Sequence, residues 1–500
     1  MIATLKLHPR FNTGPVSPLL FGGFLEHMGR CVYEGVFDPA SPHADQHGFR
    51  RDVMDALRAL EMTIMRYPGG NFVSDYHWQD GIGPQSERPV VKNLAWQSLE
   101  SNQFGTDEYM RLCGVMGWEP MIAVNLGTGT PEEARNWVEY CNSEATTRYA
   151  RMRADNGVEA PYGVKYWCLG NEMDGPWQTG HVPAEHYAIR AQQAAQMMKG
   201  CDRGVELVVC GSSAVEMPTY LDWDRTALER VGSFGRYVSL HRYMRNDNDD
   251  VQEYLAAGCS IDEQIESVDA VCRYVQARRG SRRRAYLCFD EWNVWYKARS
   301  AADMDGKDQF APHLVEEVYN LEDALVVAQF LNSFVRHADV VKIANLAQVV
   351  NVIAPLLTRA DELLKQSIYF VFQLFSEKKE GVALQISVDG PSYATQRYAD
   401  VGLLDCSAIL NRRDRELSLF CVNRSPNEAL DLEADLTDLG VTSLIDGQII
   451  QHADLKAANS FEHPDRVVPE RFDDLSVDSG VAIGQLPPAA FVRLVFRLKE

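Results

Sequence analysis

The sequence predicts an α/β protein, in which a closed barrel of eight parallel strands is followed by a C-terminal antiparallel β-sandwich. Between about residues 17 and 376, short apolar runs alternate with longer amphipathic stretches, a rhythm typical of β/α units. After about residue 380, apolar residues alternate with polar ones, as in strands with one buried face. A chain of 500 residues is long enough for two domains, one of them large.

Eight apolar runs rich in valine, isoleucine and leucine are the candidate barrel strands. A parallel barrel of this kind closes with eight strands, each followed by a helix. The runs are 19–24, 63–66, 120–125, 164–169, 205–210, 237–241, 285–290 and 340–346.

Capping residues predict where two of the helices begin. Thr130-Pro131-Glu132-Glu133 has the pattern of a capping box with proline at the first helical position. Ser260-Ile261-Asp262-Glu263 predicts a second helix start, and that helix should end at Arg278, Arg279 and Gly280, where cations and a glycine suit a C-terminus. We expect both helices to wrap the barrel.

The N-terminal residues resemble the C-terminal part of the chain rather than the barrel. Ala3, Leu5 and Leu7 alternate with polar residues before the first barrel strand. We therefore expect an added strand of the sandwich here. The predicted domains are a barrel of residues 16–378 and a β-sandwich of residues 1–15 plus 379–500.

Composition and charge narrow the classes of partner. The 70 acidic and 49 basic residues give a formal net charge of −21, which disfavours nucleic acid and suits neutral substrates. The 11 cysteines lack CxxC spacing, as is typical of reduced thiols in the cytosol. The N-terminus lacks the pattern of a secretion signal, and polar residues interrupt the most apolar stretch, 340–357. We expect a cytoplasmic protein without a membrane partner.

Polar residues follow nearly every candidate strand. Because active sites of such barrels are built at the C-terminal ends of the strands, these residues are the first candidates for chemistry. They are Glu26-His27, Arg66, Asn125, Asn171-Glu172, His241, Asp290-Glu291 and Gln348.

Two carboxylates stand out, because Glu172 and Glu291 follow the fourth and seventh strands. A facing pair of carboxyl groups is the machinery of glycoside hydrolysis: one protonates the leaving oxygen, and the other attacks the anomeric carbon or directs water at it. Aromatic rings in strand-end loops could stack on a sugar, although core packing is the alternative for Trp292. These rings belong to Trp96, Trp177, Trp292 and Trp295.

Long motifs in the same order resemble those of the α-L-arabinofuranosidases of glycoside hydrolase family 51, over essentially the whole chain. The resemblance implies a (β/α)8 TIM barrel with a jelly-roll domain, and a retaining, exo-acting enzyme that releases terminal arabinofuranose from arabinoxylan, arabinan and arabino-oligosaccharides. The motifs are FLEHMGR (24–30), RYPGGNF (66–72), VNLG (124–127), CLGNEMDGPW (168–177), FDEWNVWY (289–296) and LAQ (346–348).

The resemblance also implies roles for individual residues. Glu172 would be the general acid/base and Glu291 the nucleophile, with no cofactor and no metal. Trp96 would border the leaving-group side, and Trp295 would shape the pocket wall. The arabinose hydroxyls and the nucleophile would be contacted by Glu26, Arg66, Asn71, Asn171, Gln348, His241 and Tyr243. A homo-oligomer, possibly a hexamer, is implied as well.

One part of the sequence departs from the family pattern, and other functions stay open. Arg242 and Met244 flank Tyr243 where an uncharged polar residue and an aromatic one are expected, which bears on the leaving-group side. One alternative is a related retaining glycosidase, either a β-xylosidase or an endo-β-glucanase. Another is a metal-dependent sugar isomerase, although no HExxH-like spacing occurs. A non-catalytic carbohydrate-binding protein would be expected to lack one of the two glutamates.

Overall fold

Eight parallel strands form a closed barrel in the computed structural model, which describes residues 1–499. The strands pair in chain order, and the eighth pairs with the first through Asn345 opposite Gly22. The eight-stranded barrel predicted from the apolar runs is therefore confirmed. Its strands are Gly22–Phe24, Ile64–Tyr67, Glu119–Ala123, Tyr166–Leu169, Glu206–Val209, Gly235–Met244, Tyr286–Val294 and Val341–Ala347.

Three strands differ from the prediction by three or more residues at one end, and one of them is the sixth, which continues beyond His241 to Met244. The first strand begins at Gly22 because Pro18–Leu20 form a 3-10 turn, which suits a proline that has no N–H to donate. The seventh strand continues beyond Asp290 to Val294 and stays paired with the sixth, with Glu291 opposite His241. Glu291 thus lies within a strand and not after one, so its backbone is held on the barrel wall.

The helices and the shorter elements lie between and outside the barrel strands. The α-helices are Arg51–Ala59, Thr106–Met116, Pro131–Asn142, Arg148–Asp155, Ala184–Cys201, Asp222–Val231, Val251–Tyr254, Ala257–Arg278, Leu321–Arg336 and Ser367–Ser376. The 3-10 turns are Pro18–Leu20, Asn71–Asp75, Trp78–Gly81, Gln85–Glu87 and Thr437–Leu439. Short hairpins pair Val91–Asn93 with Ser98–Glu100, Leu356–Arg359 with Glu362–Lys365, and Ser392–Tyr393 with Val401–Gly402.

One of the two predicted helix starts is right. Thr130 Oγ1 accepts the N–H of Glu133 at 3.0 Å, while the Glu133 carboxylate pairs with His77. The start predicted at Ser260 is wrong, because the helix already begins at Ala257 and the Ser260 hydroxyl donates to its carbonyl at 2.9 Å. A serine inside a helix can bond the preceding turn in this way and so gives a false capping signal.

The second domain is one mostly antiparallel sheet of ten strands. The N-terminal strand lies inside it as predicted, antiparallel to Val382–Asp389 and parallel to Leu430–Asp435. In spatial order the strands are Glu470–Arg471, Val441–Ile450, Ala490–Leu498, Glu416–Asn423, Leu404–Asn411, Val382–Asp389, Ile2–Pro15, Leu430–Asp435, Val481–Leu486 and Leu475–Asp478.

Most strands of this sheet bury one face, and the central strands Leu404–Asn411, Glu416–Asn423 and Ala490–Leu498 bury both. Leu5, Leu419 and Ala482 come from separate strands but belong to one core, so the sheet curves around it. On the opposite face, Phe420 and Phe491 pack on Phe375 of the last barrel helix, with ring centroids 4.0 and 5.3 Å apart. The domain boundaries at 15/16 and 378/379 stay a prediction. No helix in residues 1–499 is long and apolar enough to cross a membrane.

Candidate active site

The barrel brings the predicted site residues together at the C-terminal ends of its strands. Alternation of side chains explains Arg66, His241 and Tyr243, since every second residue of a barrel strand faces the interior. On the seventh strand, a register shift between Cys288 and Glu291 lets both Asp290 and Glu291 reach the site. Glu26 and Gln348 follow the first and eighth strands, Arg66 lies on the second, Asn171 and Glu172 follow the fourth, His241 and Tyr243 lie on the sixth, and Glu291 lies on the seventh.

The two predicted catalytic carboxylates are close to each other. One oxygen of Glu172, one of Glu291 and a ring nitrogen of His241 all lie within 4.8 Å of one another. His241 Nδ1 is 2.8 Å from Glu172 Oε1 and 3.5 Å from Glu291 Oε2. Retaining glycosidases have carboxyl groups about 5–5.5 Å apart, whereas inverting enzymes need about 6.5–9.5 Å. The spacing suits direct attack by one carboxylate.

Both oxygens of Glu291 are held by buried donors. Arg66 Nη1 donates to Oε1 at 2.5 Å, and the Tyr243 hydroxyl donates to Oε2 at 2.8 Å. Burial, and then the charge of Glu291, raise the pKa of Tyr243 well above its usual value, so this hydroxyl keeps its proton. Arg66 Nη2 also donates to Asn171 Oδ1 at 2.6 Å, which connects the second, fourth and seventh strands.

His241 carries positive charge in the centre of this acidic site. Burial by itself would lower its pKa, but the charges of Glu291 and Asp290 outweigh burial and raise the pKa well above the usual value. Burial would likewise raise the pKa of Asp290, yet Arg66 and His241 lower it to about 2. Asp290 is therefore ionised. Its Oδ1 lies 3.4 Å from His241 Nε2, the ring nitrogen that does not face Glu172 and Glu291.

Sequence reasoning named Asp290 only as a strand-end residue without a role, and it did not identify Ser239. The Ser239 hydroxyl donates a short hydrogen bond to Asp290 Oδ1. Two signals were available. Asp290 directly precedes the nucleophile candidate, and Ser239 lies two residues before His241, hence on the same side of its strand.

A third carboxylate, Glu26, lies in the same hollow. Its Oε1 accepts from the Phe72 N–H at 3.1 Å and from Trp96 Nε1 at 3.0 Å, and its Oε2 accepts from Gln348 Nε2 at 3.1 Å. Burial, and then the charge of Glu291, raise the pKa of Glu26 to about 7. This carboxyl can thus accept or donate hydrogen bonds near neutral pH.

Gly70 lets the backbone pass between two of these carboxylates. A Cβ atom at this position would lie 2.7 Å from Glu291 Oε1 and 3.4 Å from Glu26 Oε2. Any side chain would therefore displace the nucleophile candidate. This close approach explains a glycine in the Pro68-Gly69-Gly70-Asn71 turn.

Glu172 is presented by a turn rather than by a strand. Its backbone is in the left-handed region, with φ of 43°, directly after Gly170 and Asn171. Trp177 Nε1 donates to Glu172 Oε2 at 2.6 Å, while the Trp177 residue is 52% exposed. The stacking prediction for Trp177 did not include this hydrogen bond. The hydrogen bond places the exposed face of the Trp177 ring beside the acid/base candidate.

The remaining predicted residues lie around this centre. Asn171 Nδ2 is 3.5 Å from Asn71 Oδ1, so both amides border the hollow. Trp295 packs edge-on against Tyr243, with ring centroids 5.6 Å apart. Trp292 is fully buried against Phe330 and Phe334 and belongs to the core.

Arg242 and Met244, which depart from the family pattern, lie away from the centre. Arg242 Nη2 donates to Ser260 Oγ at 2.8 Å, and Nε lies 3.2 Å from Met244 Sδ. Both side chains therefore leave the barrel wall on the side opposite His241 and Tyr243, toward helix Ala257–Arg278.

The three closest groups could also be considered as a cation site. Glu172, His241 and Glu291 offer ligand atoms at mutually short distances. A metal needs neutral imidazole, however, and His241 has a raised pKa. The arrangement fits acid/base and nucleophilic chemistry better than metal ligation.

Comparisons with known proteins agree on one kind of enzyme. The family model described as "Alpha-L-arabinofuranosidase 1 domain" matches residues 56–258, and "Alpha-L-arabinofuranosidase C-terminal domain" matches residues 290–489. An intracellular exo-α-(1→5)-L-arabinofuranosidase from Streptomyces lividans is 43% identical over 493 residues, which cover 98% of this chain and 74% of the relative. An exo-α-(1→6)-L-arabinofuranosidase from Bifidobacterium longum is 40% identical, with 96% and 94% covered. The solved structure of AbfB, a family 51 α-L-arabinofuranosidase from Bifidobacterium longum, aligns with a TM-score of 0.95 and 35% identity over 99% of each chain.

Proposed function

The chain belongs to the α-L-arabinofuranosidases of glycoside hydrolase family 51, and we propose that it releases terminal non-reducing α-L-arabinofuranosyl residues by a retaining double displacement. The observation that carries the proposal is the pairing of Glu172 with Glu291 across one hollow, with oxygens within 4.8 Å. The two residues are far apart in the chain: Glu172 lies in the turn after the fourth strand, and Glu291 lies on the seventh. The barrel is what makes them a pair.

In the first step Glu291 attacks the anomeric carbon, and the bond from that carbon to the leaving oxygen breaks. The proton held by Glu172 moves to the leaving oxygen, so that the aglycone departs as an alcohol. Arg66 and Tyr243 fix both oxygens of Glu291 and thereby aim the carboxylate. The product of the step is an arabinosyl ester on Glu291.

In the second step water replaces the aglycone. Glu172, now ionised, takes a proton from water while the water oxygen bonds to the anomeric carbon and the ester bond to Glu291 breaks. Two inversions leave the configuration of the released arabinose unchanged. His241 contacts both carboxylates and, being protonated, compensates the negative charge that alternates between them.

Recognition of the sugar is assigned to the polar side chains around this pair. Glu26 and Gln348 are bonded to each other at 3.1 Å. Asn71 and Asn171 are also neighbours, and Asn171 is fixed by Arg66. Hydroxyl groups both donate and accept hydrogen bonds, so this mixture of carboxyl and amide groups suits a small polyol ring.

The leaving-group side is assigned to Trp177 and Trp96. Trp177 is half-exposed beside Glu172, and Trp96 is anchored by its hydrogen bond to Glu26. Relatives of nearly equal identity are named for α-(1→5) and for α-(1→6) linkages. The linkage is therefore left to experiment, and the substrates in the proposal are arabinoxylan, arabinan and arabino-oligosaccharides as a class.

We also propose that the enzyme works in a reducing, intracellular compartment and that it forms a homo-oligomer. The Streptomyces lividans relative is named intracellular, and all eleven cysteines of this chain are free, as expected for a reducing compartment. The resemblance to the family supports a homo-oligomer, which sedimentation equilibrium would test.

A panel of 4-nitrophenyl glycosides tests the substrate, and Glu291→Ala tests the site. We expect the α-L-arabinofuranoside to be cleaved much faster than the β-xyloside or β-glucoside, with arabinose first released in the α form.

Glu291→Ala should lose nearly all turnover and still bind arabinose. Cleavage of the xyloside or glucoside at an equal rate would refute the substrate, and full activity of Glu291→Ala would refute the site.

A further inference from the structure

A run of arginines lies at the end of the barrel opposite the active site. Residues 278–284 contain five arginines, in a chain whose formal net charge is −21. The segment follows helix Ala257–Arg278 and leads into the seventh barrel strand at Tyr286. None of these arginines contacts the catalytic residues.

The arginines border a cavity of about 280 Å³ between helices Asp222–Val231 and Ala257–Arg278. Gly235, which opens the sixth barrel strand, and Ala285, which precedes the seventh, lie in its wall. Its charged lining residues are Arg279, Arg283 and Arg284, and the lining includes no carboxylate. The concave shape and small volume suit a small molecule rather than a polymer.

Each of the two nearby carboxylates pairs with two arginines, and Arg284 is the one cavity-lining arginine among them. Glu229 pairs with Arg278 at 2.8 Å and with Arg225 at 3.3 Å. Asp269 pairs with Arg273 at 2.8 Å and with Arg284 at 2.5 Å. Arg279 and Arg283, which are exposed, therefore contribute positive charge at the cavity that neither carboxylate pairs with.

Arg279 and Arg283 are held by backbone carbonyls alone. Arg279 Nη1 donates to the Glu229 carbonyl at 2.6 Å, and Arg283 Nη1 donates to the Ser233 carbonyl at 3.3 Å. Within residues 1–499 neither has a carboxylate oxygen within 4.0 Å. A guanidinium has five N–H donors, so most of the hydrogen-bonding capacity of both side chains is left for a ligand.

We propose that this cavity binds a small phosphate-type oxyanion, either as inorganic phosphate or as the phosphate group of a sugar ester. Forked guanidinium groups match phosphate oxygens in pairs, and a dianion would offset two arginine charges that no side chain of the cavity neutralises. Neutral arabinose lacks this charge. The site is therefore distinct in chemistry and in place from the sugar pocket.

Isothermal titration of the full-length protein with inorganic phosphate tests the proposal. We expect one saturable site per chain, weakened by salt, that saturating arabinose does not displace. Arg283→Gln should weaken binding about tenfold or more, because one charge-assisted donor pair is lost. Arg282→Gln is the matched control: it is exposed in the same segment but does not line the cavity, and should change the affinity less than about twofold.

A pentose 5-phosphate arm separates the two sources of the oxyanion. Equal affinity for inorganic phosphate and pentose 5-phosphate would mean that the cavity recognises the phosphate group alone. Tighter binding of the ester would mean that the cavity also contacts the sugar. Arg279→Gln serves as the second variant, and melting temperatures verify that each variant is folded. The proposal is overturned if phosphate does not bind saturably, if Arg282→Gln and Arg283→Gln lose equally, or if arabinose competes. It is also overturned if phosphate fails to bind and Arg283→Gln instead shifts the sedimentation coefficient, which would identify an interface between copies.

Discussion

Tyr243→Phe isolates a single hydrogen bond to the proposed nucleophile. The variant removes the hydroxyl that donates to Glu291 Oε2 at 2.8 Å and keeps the ring that packs against Trp295. A hydrogen bond to a charged acceptor contributes about 1.5–3 kcal/mol. Since about 1.36 kcal/mol corresponds to a factor of ten in rate, kcat/KM should fall about 10- to 150-fold.

The assay is steady-state hydrolysis of 4-nitrophenyl α-L-arabinofuranoside, with melting temperatures measured in parallel. Tyr398→Phe is the matched control, because its hydroxyl also donates to a glutamate, Glu263 Oε2, at 2.8 Å, but at the protein surface. The control should change kcat/KM less than about twofold, as surface pairs contribute little. If Tyr243→Phe stays within twofold of the wild type, or if both variants lose activity equally, the assignment of Tyr243 as a positioning donor is refuted.

The other predictions concern the acid/base candidate Glu172, the buried carboxyl groups of Glu26 and Asp290, and metal dependence. Glu172→Ala should slow cleavage of arabino-oligosaccharides about 10²- to 10⁴-fold and accumulate arabinosyl-enzyme from the nitrophenyl substrate, detectable by mass spectrometry; equal impairment of both substrates without adduct would contradict the role. Glu26 has a pKa near 7 against a usual 4.5, so its folded form binds more protons than its unfolded form between these values and stability falls as pH rises through them. Glu26→Gln should therefore gain melting temperature over wild type at pH 8 relative to pH 4, and a pH-independent difference would count against a buried, partly protonated carboxyl. Asp290→Asn should lower the pKa of His241 as followed by histidine NMR, and an unchanged titration would show that Asp290 does not sustain its charge. A chelator should leave turnover within about twofold, whereas loss restored by a divalent ion would favour the isomerase alternative.

Much of the fold could be predicted, because the spacing of apolar residues and the polar residues that end each strand are local features of the sequence. Apolar runs located all eight barrel strands, and alternation at Ala3, Leu5 and Leu7 placed the N-terminal strand in the second domain. The helix start at Ser260 was misplaced, since its hydroxyl bonds the preceding turn inside a helix that begins at Ala257. A capping pattern alone does not say whether the residues before it are helical.

Partners across the site could not be predicted in the same way. Ser239 and the role of Asp290 were not predicted, because their importance depends on contacts with His241 and with each other across neighbouring strands. The direction of Arg242, away from the centre, was also undecided until the strand's inward and outward faces were known.

The sequence determined which side chains lie at the mouth of the barrel, because the apolar run of each strand and the polar residues at its end are consecutive in the chain. Only the tertiary structure decided the charge of those groups. A positive His241, an ionised Asp290 and a Glu26 with a pKa near 7 result from burial and from charges that strands distant in sequence bring within a few ångströms. Electrostatic energy depends on separation and on exclusion of water, and neither exists until the barrel has closed.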